Sequence, residues 1–194
     1  MLPDVREVQL DNGFQALLVE RRNLPVVATV LYYLVGSRDE RTGQTGLSHF
    51  LEHMMFKGTR RFAKGEIDLL TSKLGGSTNA FTDNDCTAYH FSLASDRWET
   101  ALEIESDRMT SCLFDPDEFA AEKNVVLEEL AMGEDDPWRV LWQSTEALVF
   151  QVHPYHHPII GHRQDLERLE PFLEARKSPE QQFAEEEKAK ATTP

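Results

Sequence analysis

The sequence predicts an α+β fold, in which helices pack on one face of a mostly antiparallel sheet. Alternating apolar and polar residues, typical of half-buried strands, occupy much of the first half of the chain. Longer segments with apolar residues at helical spacing fill the region from about residue 96 to about residue 150. The chain has 194 residues, which is enough for one domain with its own hydrophobic core.

The first predicted strands form a meander at the N-terminus. Residues 5–10 alternate in polarity, and residues 14–20 return alongside them. Between them, Asp11-Asn12-Gly13 is a strong signal for a hairpin turn. Residues 26–35 follow as a third strand, which we expect to be more buried than the first two because it is largely apolar.

One short helix and a pair of strands are predicted near the middle of the chain. Residues 65–73 form an amphipathic helix that ends at paired glycines, Gly75 and Gly76. The two strands that follow are residues 77–82 and 87–93, joined by a turn.

Longer helices are predicted in the second half of the chain. Asp136-Pro137 is expected to separate the last two of them. The predicted helices are residues 96–109, 116–132 and 138–150. Trp138, Leu141 and Trp142 lie in the last one, and we expect these side chains in the core.

The motif with the clearest chemical meaning is His49-Phe50-Leu51-Glu52-His53. It reads His-x-x-Glu-His, the reverse of the commoner zinc-protease order His-Glu-x-x-His. Thr45 is the predicted N-cap of its helix, which ends near Gly58. Histidines four residues apart lie on one helix face, so both imidazoles can reach one tetrahedral ion. Glu52 reaches the same side, where a carboxylate can accept a proton from a metal-activated water. The alternative is a helix with two ordinary histidines.

A third metal ligand is expected from another segment, because a catalytic zinc normally has three protein ligands and one open position. The helical pattern of residues 121–130 offers Glu129. Glu122, seven residues earlier, shares its helix face, whereas Glu128 points roughly 100° away. Glu122 would then support the ligands from a second layer. Spacing alone leaves open an ordinary solvated acidic helix face.

Both segments resemble the zinc-carrying N-terminal domain of bacterial M16 (pitrilysin, or inverzincin) metallopeptidases. Residues 46–59, Gly-Leu-Ser-His-Phe-Leu-Glu-His-Met-Met-Phe-Lys-Gly-Thr, are close to that family's signature, and residues 122–130 are similar to its third-ligand segment. The resemblance implies Zn²⁺ on His49, His53 and Glu129. It also implies Glu52 as the catalytic base and Glu122 as the supporting acid.

The strand at residues 77–82 lies between the two metal segments. Its residues alone fit either an ordinary hairpin or an edge strand that accepts an extended peptide by backbone pairing. The resemblance implies the second, with Asn79 and Ala80 contacting the substrate backbone beside the scissile bond. It also implies Phe81 as a wall of the neighbouring side-chain pocket.

Composition excludes several other classes of function. The formal net charge of −14 argues against nucleic acid as a partner, because such binding needs clustered Lys and Arg. No apolar run reaches the length of a membrane span, so no membrane association is expected. The N-terminus has neither signal-peptide nor transit-peptide character, and the two cysteines do not imply a disulfide. These features favour a cytoplasmic, bacterial setting.

The family resemblance spans residues 5–169 and fades after Leu169. We expect an M16-like domain over residues 1–177, without the last strand of the family's sheet, and a polar tail over residues 178–194 that is helical or disordered. Relatives enclose their peptide between the zinc domain and a second, metal-free domain. The resemblance therefore implies a second M16-like domain or subunit as partner.

Two functions follow from these observations. The first is a zinc-dependent endopeptidase domain that hydrolyses unfolded peptides through a metal-activated water. The alternative is a non-catalytic or partner-dependent subunit or fragment, which binds zinc but needs a second M16-like domain for activity. All motif residues are retained, and this favours the enzyme.

Overall fold

The computed structural model describes residues 4–170, and the α+β fold class is confirmed. The predicted tail at residues 178–194, the end of the predicted domain and the position of its last strand lie outside the described residues. The strands are β1 (Val5–Gln9), β2 (Gln15–Val19), β3 (Val26–Tyr33), β4 (Ser77–Thr82) and β5 (Thr87–Ala94). The α-helices are α1 (Leu47–Met54), α2 (Glu66–Lys73), α3 (Glu99–Ser111), α4 (Pro116–Glu134), α5 (Pro137–Val149) and α6 (Arg163–Arg168).

The five strands form two antiparallel sheets. Strands β1 and β2 pair as a hairpin around Gly13, whose positive φ of 87° suits this turn. The other sheet has the order β3-β5-β4, with Ala80 opposite Tyr89. In this order β4 pairs on one side only among the described residues, so it is an edge strand.

The prediction that β3 is more buried than β1 and β2 is confirmed, because four of its eight residues are half-buried, against one of five in each of those strands. Its residues alternate between exposed and half-buried, and Val30 and Tyr32 are exposed. Among the described residues β3 lies at the edge of its sheet, and its more buried residues all lie on one face.

The core lies between the central strand β5 and the helices. Phe91 and Leu93 of β5 pack with Ile67 of α2 and Ile104 of α3. A second cluster joins α1 to α4 through Phe50, Met54, Phe119 and Val126. This second cluster matters for function, because it fixes the relative position of the two helices that carry the predicted metal ligands.

Helix α5 begins at the predicted Asp136-Pro137 break but contradicts the prediction of a buried face. Trp138, Leu141 and Trp142 are exposed, and α5 contains no buried residue. The helix contacts the end of α4 and the 3₁₀ turn Pro154–His156 rather than the core. Within residues 4–170, the helices are too short or too polar to cross a membrane.

Candidate metal centre

Helix α1 presents the two histidines of the motif on one face. His49 and His53 are one turn apart, and their ring centroids are separated by 4.6 Å. The opposite face carries Phe50 and Met54, which are fully buried. Burial of that face turns the histidines away from the core, toward β4 and α4.

The N-terminus of α1 differs from the prediction. Gly46, with a positive φ of 87°, is the N-cap, rather than Thr45. The Glu40 carboxylate accepts hydrogen bonds from the backbone N–H groups of Gly46 (2.8 Å) and Ser48 (2.7 Å). This carboxylate therefore pairs with backbone N–H groups of the kind that the first turn of a helix leaves without an intrahelical partner. The cap therefore comes from a carboxylate six and eight residues before the two donors, which capping rules for adjacent residues do not reveal.

Thr45 instead links the start of α1 to the N-terminal part of α6 by hydrogen bonds. Its backbone N–H and its hydroxyl donate to Asp165 Oδ2, at 3.2 and 2.6 Å. The His162 backbone N–H in turn donates to Thr45 Oγ1 at 2.9 Å. Gly46 and Gly161 meet so closely that a Cβ on Gly161 would lie 2.3 Å from the Thr45 carbonyl oxygen. This contact fixes the orientation of the helix that carries His49 and His53.

Helix α4 brings Glu129 to the same point. The three residues His49, His53 and Glu129 place one donor atom each within 4.8 Å of one another, and no other such group lies in residues 4–170. Glu129 Oε2 is 3.7 Å from His49 Nε2 and 3.5 Å from His53 Nε2. Two ligands of a tetrahedral zinc ion lie about 3.3 Å apart, since each bond is about 2.0–2.1 Å. The donor set and its spacing therefore fit zinc with little rearrangement.

Glu122 lies behind His53 rather than at the metal position. Its Oε1 is 2.9 Å from His53 Nδ1, which leaves Nε2 directed at the candidate site. Only 5% of Glu122 is exposed, and its other oxygen contacts the Lys57 ammonium. A carboxylate on the far nitrogen fixes the orientation and tautomer of a ligating histidine. Lys57 compensates the buried negative charge.

Glu52 lies beside the three donors without belonging to their set. Its Oε2 accepts a hydrogen bond of 2.5 Å from the Thr82 hydroxyl on β4. Burial raises the pKa of Glu52, against the opposing effect of this hydrogen bond. A fixed, partly desolvated carboxylate in this position can accept and return a proton.

The pKa values of the two histidines shift in opposite directions. Burial lowers the pKa of His49 to about 4, so this imidazole is neutral at neutral pH, as a metal ligand must be. Burial also acts to lower the pKa of His53, but the contacts with Glu129 and Glu122 outweigh it and raise that pKa. The contact with His53 lowers the pKa of Glu129, which stays ionised.

Comparison with known proteins places this arrangement in a family. The model of the family described as Insulinase (Peptidase family M16) matches residues 16–163, which include every element of the candidate site. The chain belongs to the M16 peptidase family. The predicted resemblance is therefore confirmed.

Two M16 comparisons concern Helicobacter pylori. The zinc protease PqqE of that organism is 35% identical over 168 residues, which are 86% of this chain and 38% of that protein. The crystal structure of a protease from Helicobacter pylori superposes with a TM-score of 0.80 at 32% identity, over 88% of this chain and 41% of that one. The chain thus spans about two fifths of the length of these relatives.

The periplasmic protease PqqL from Escherichia coli has a similar structure. Its TM-score is 0.78 at 25% identity, over 88% of this chain and 20% of that one.

A cavity of about 300 Å³ opens in front of the M16 motif. Ala80 and Phe81 of β4 line it, together with His49, Glu52 and Glu129. Asn79 lies on the same strand, opposite His90, and its side chain is exposed. Strand β4 therefore passes directly beside the candidate metal position with one backbone edge unpaired among the described residues.

Three side chains of this site were missed by sequence reasoning. Lys57 follows His53 by four residues, and that spacing is a signal that could have identified it. Thr82 shares its side of β4 with Ala80, so strand alternation also offered a signal. Arg139 has its Nη2 at 4.0 Å from Glu129 Oε1. It follows the exposed Trp138, and no sequence signal pointed to it.

Proposed function

We propose that this chain is a zinc-dependent endopeptidase domain that hydrolyses peptide bonds in unfolded peptides. The observation that carries the proposal is the convergence of His49, His53 and Glu129 within 4.8 Å, with Glu52 beside them. Membership of the M16 family agrees with it, because the relative PqqE is named a zinc protease. Three protein ligands leave the fourth position of a tetrahedral ion open, as in catalytic sites.

His49, His53 and Glu129 would hold the zinc ion, with Glu122 and Lys57 fixing the orientation of His53. When bound, zinc polarises the peptide carbonyl and makes water a stronger acid. Glu52 accepts the proton of the attacking water and delivers it to the amine that leaves. Thr82 keeps the Glu52 carboxylate directed at the cavity through its hydrogen bond.

The substrate would lie as an added strand along β4. The edge of β4 that is unpaired within residues 4–170 offers backbone N–H and C=O groups for pairing with an extended chain. Asn79 and Ala80 would contact the peptide backbone, and Phe81 would form one wall of a side-chain pocket. Because β-pairing recognises the backbone, unfolded peptides are the substrate class that this edge favours.

A second M16-like domain is the proposed partner. The chain spans about two fifths of the length of its zinc-protease relatives. The second candidate function is accordingly a subunit that binds zinc but cleaves peptides only when such a domain is added. The two functions share the metal site and differ only in whether the isolated chain is active.

We also propose a cytoplasmic setting. Cys86 is a free thiol, which agrees with a reducing compartment. Targeting to the periplasm, the compartment named for PqqL, would contradict this part of the proposal, and cell fractionation measures it.

Zinc content and peptide cleavage together test the proposal. Purified chain should carry one zinc per molecule, and Glu129→Gln should lose most of it, whereas the exposed neighbour Glu128→Gln should retain it. Glu52→Gln should retain zinc but lose cleavage of an unstructured peptide, alone or with an added M16-like domain. Equal zinc content in Glu129→Gln and Glu128→Gln would remove the ligand assignment. Wild-type cleavage that survives in Glu52→Gln would remove the proposed base.

A further inference from the structure

The two carboxylate oxygens of Glu129 have different neighbours. Oε2 faces both histidines, at 3.7 Å from His49 Nε2 and 3.5 Å from His53 Nε2. Oε1 faces Arg139, whose Nη2 is 4.0 Å away. That separation is an ion-pair distance, too long for a hydrogen bond. Glu129 is thus oriented with one oxygen toward the candidate metal and the other toward a cation.

The guanidinium of Arg139 packs closely against α4 at Gly133. A Cβ on Gly133 would lie 2.8 Å from both Cζ and Nε of Arg139, so a side chain at this position would require the guanidinium to shift. Gly133 is buried and follows Glu129 by four residues, which places both on one helix face. The turn at Asp135 and Asp136 folds the start of α5 back over this face.

We propose that Arg139 is a positioning residue that makes Glu129 a ligand through one oxygen only. This inference rests on the proposed zinc site. If both oxygens of Glu129 approached the ion, they would fill the position that a catalytic zinc keeps open for water. By attracting Oε1, Arg139 keeps that position free and fixes the rotation of the carboxylate.

The same arrangement occurs on the opposite side of the site, where Lys57 contacts Glu122 and Glu122 contacts His53. Each supported ligand therefore has a charged partner in the surrounding layer. Arg139 is 37% exposed and lines the cavity itself, so its guanidinium can adjust when the ion enters. Substitution of such second-layer partners commonly weakens metal binding by about 10–100-fold.

The first test compares Arg139→Gln with Arg163→Gln. Arg163 pairs with Glu134 at 2.8 Å near the same end of α4, away from the three donors, so it is a matched control. In competition with a chromogenic chelator, Arg139→Gln should bind zinc about tenfold more weakly, in the usual range for second-layer partners. Arg163→Gln should bind as wild type. With Co²⁺ as the probe, the visible absorption of Arg139→Gln should weaken, because added coordination by Oε1 lowers its intensity.

Gly133→Ala separates positioning from stability. Alanine has the higher helix propensity, so the metal-free variant should melt at the wild-type temperature or above it. Its methyl group would displace the guanidinium, so zinc affinity and the Co²⁺ spectrum should change as in Arg139→Gln. Arg139→Lys keeps the charge and should recover part of the affinity.

Each outcome has a separate meaning. If the wild-type chain binds neither zinc nor Co²⁺, the proposed function itself fails. If wild type binds both ions, but Arg139→Gln and Gly133→Ala keep the wild-type affinity and spectrum, only the role of Arg139 fails. A loss of affinity that merely follows a lower melting temperature in Arg139→Gln, with Gly133→Ala unaffected, also overturns that role.

Discussion

Helices α4 and α5 begin in the same way but differ in how much of each helix is buried. Each has an aspartate N-cap followed by proline, Asp115-Pro116 in α4 and Asp136-Pro137 in α5. The Asp115 side chain accepts hydrogen bonds from two backbone N–H groups of the first turn, and the Asp136 side chain accepts one. Yet α4 buries Phe119, Glu122, Val126, Leu130 and Gly133, whereas α5 contains no buried residue.

The difference shows that local sequence signals determine where a helix starts. The elements that pack against the helix determine what it contributes to the core and to the site. Helix α4 packs through Phe119 and Val126 against α1, and that packing holds Glu129 beside the histidines. Helix α5 extends from the end of α4 and exposes two tryptophans. Only Arg139, in its first turn, reaches the candidate site.

The largest expected difference between the two helices is in the core. Phe119→Ala removes a ring whose centroid is 4.7 Å from that of Phe50 and should lower the free energy of unfolding by about 3–5 kcal/mol. Trp138→Ala in α5 should change it by less than about 0.5 kcal/mol, as expected for an exposed side chain. Urea denaturation of both variants measures the difference. Comparable losses would mean that α5 is part of the cooperative core.

A smaller effect is expected from the supporting acid on α4. Glu122→Gln removes the negative charge between His53 and Lys57, so zinc affinity should fall about 10–100-fold. Glu118→Gln is the control, because Glu118 lies one turn earlier on α4 and also pairs with a lysine, Lys64. Its zinc affinity should stay near wild type. The role of Glu122 is contradicted if chelator competition ranks the two variants equally.

The smallest effect should come from the two caps. Asp115→Ala should lower the free energy of unfolding by about 1 kcal/mol, because α4 is part of the core. Asp136→Ala removes the corresponding cap of α5 and should mainly cause fraying of that helix. The free energy of global unfolding should fall by less than about half as much as in Asp115→Ala. Denaturant curves report the global effect, and amide hydrogen exchange reports the fraying. Equal losses of global stability in Asp115→Ala and Asp136→Ala would contradict the claim that α4 and α5 contribute differently to the core.

What the sequence predicted correctly depends on short-range periodicity. Four-residue spacing placed His49 and His53 on one face of α1, and seven-residue spacing placed Glu122 and Glu129 on one face of α4. Strand alternation identified β4 and β5. These patterns are properties of single elements, which helical and strand geometry determine without reference to the rest of the chain.

The errors and omissions involve contacts that the immediately neighbouring residues do not reveal. The cap at α1 comes from Glu40, and Thr45 bonds Asp165, so capping rules for neighbouring residues failed there. Trp138 and Trp142 are apolar yet exposed, because burial depends on whether another element covers α5. The approach of Arg139 to Glu129 follows from a chain reversal between two helices, and the sequence carries no local sign of it.

The link between Thr45 and Asp165 has a consequence for the order of folding. It spans 120 residues of chain, and the link from His162 to Thr45 spans 117. Contacts this distant in sequence form slowly, because a long loop must close before they contribute. Helix α1 can therefore acquire its final direction only when nearly the whole described chain has assembled. Metal capture in a refolding experiment should accordingly report a late kinetic step, well after the helices themselves have appeared.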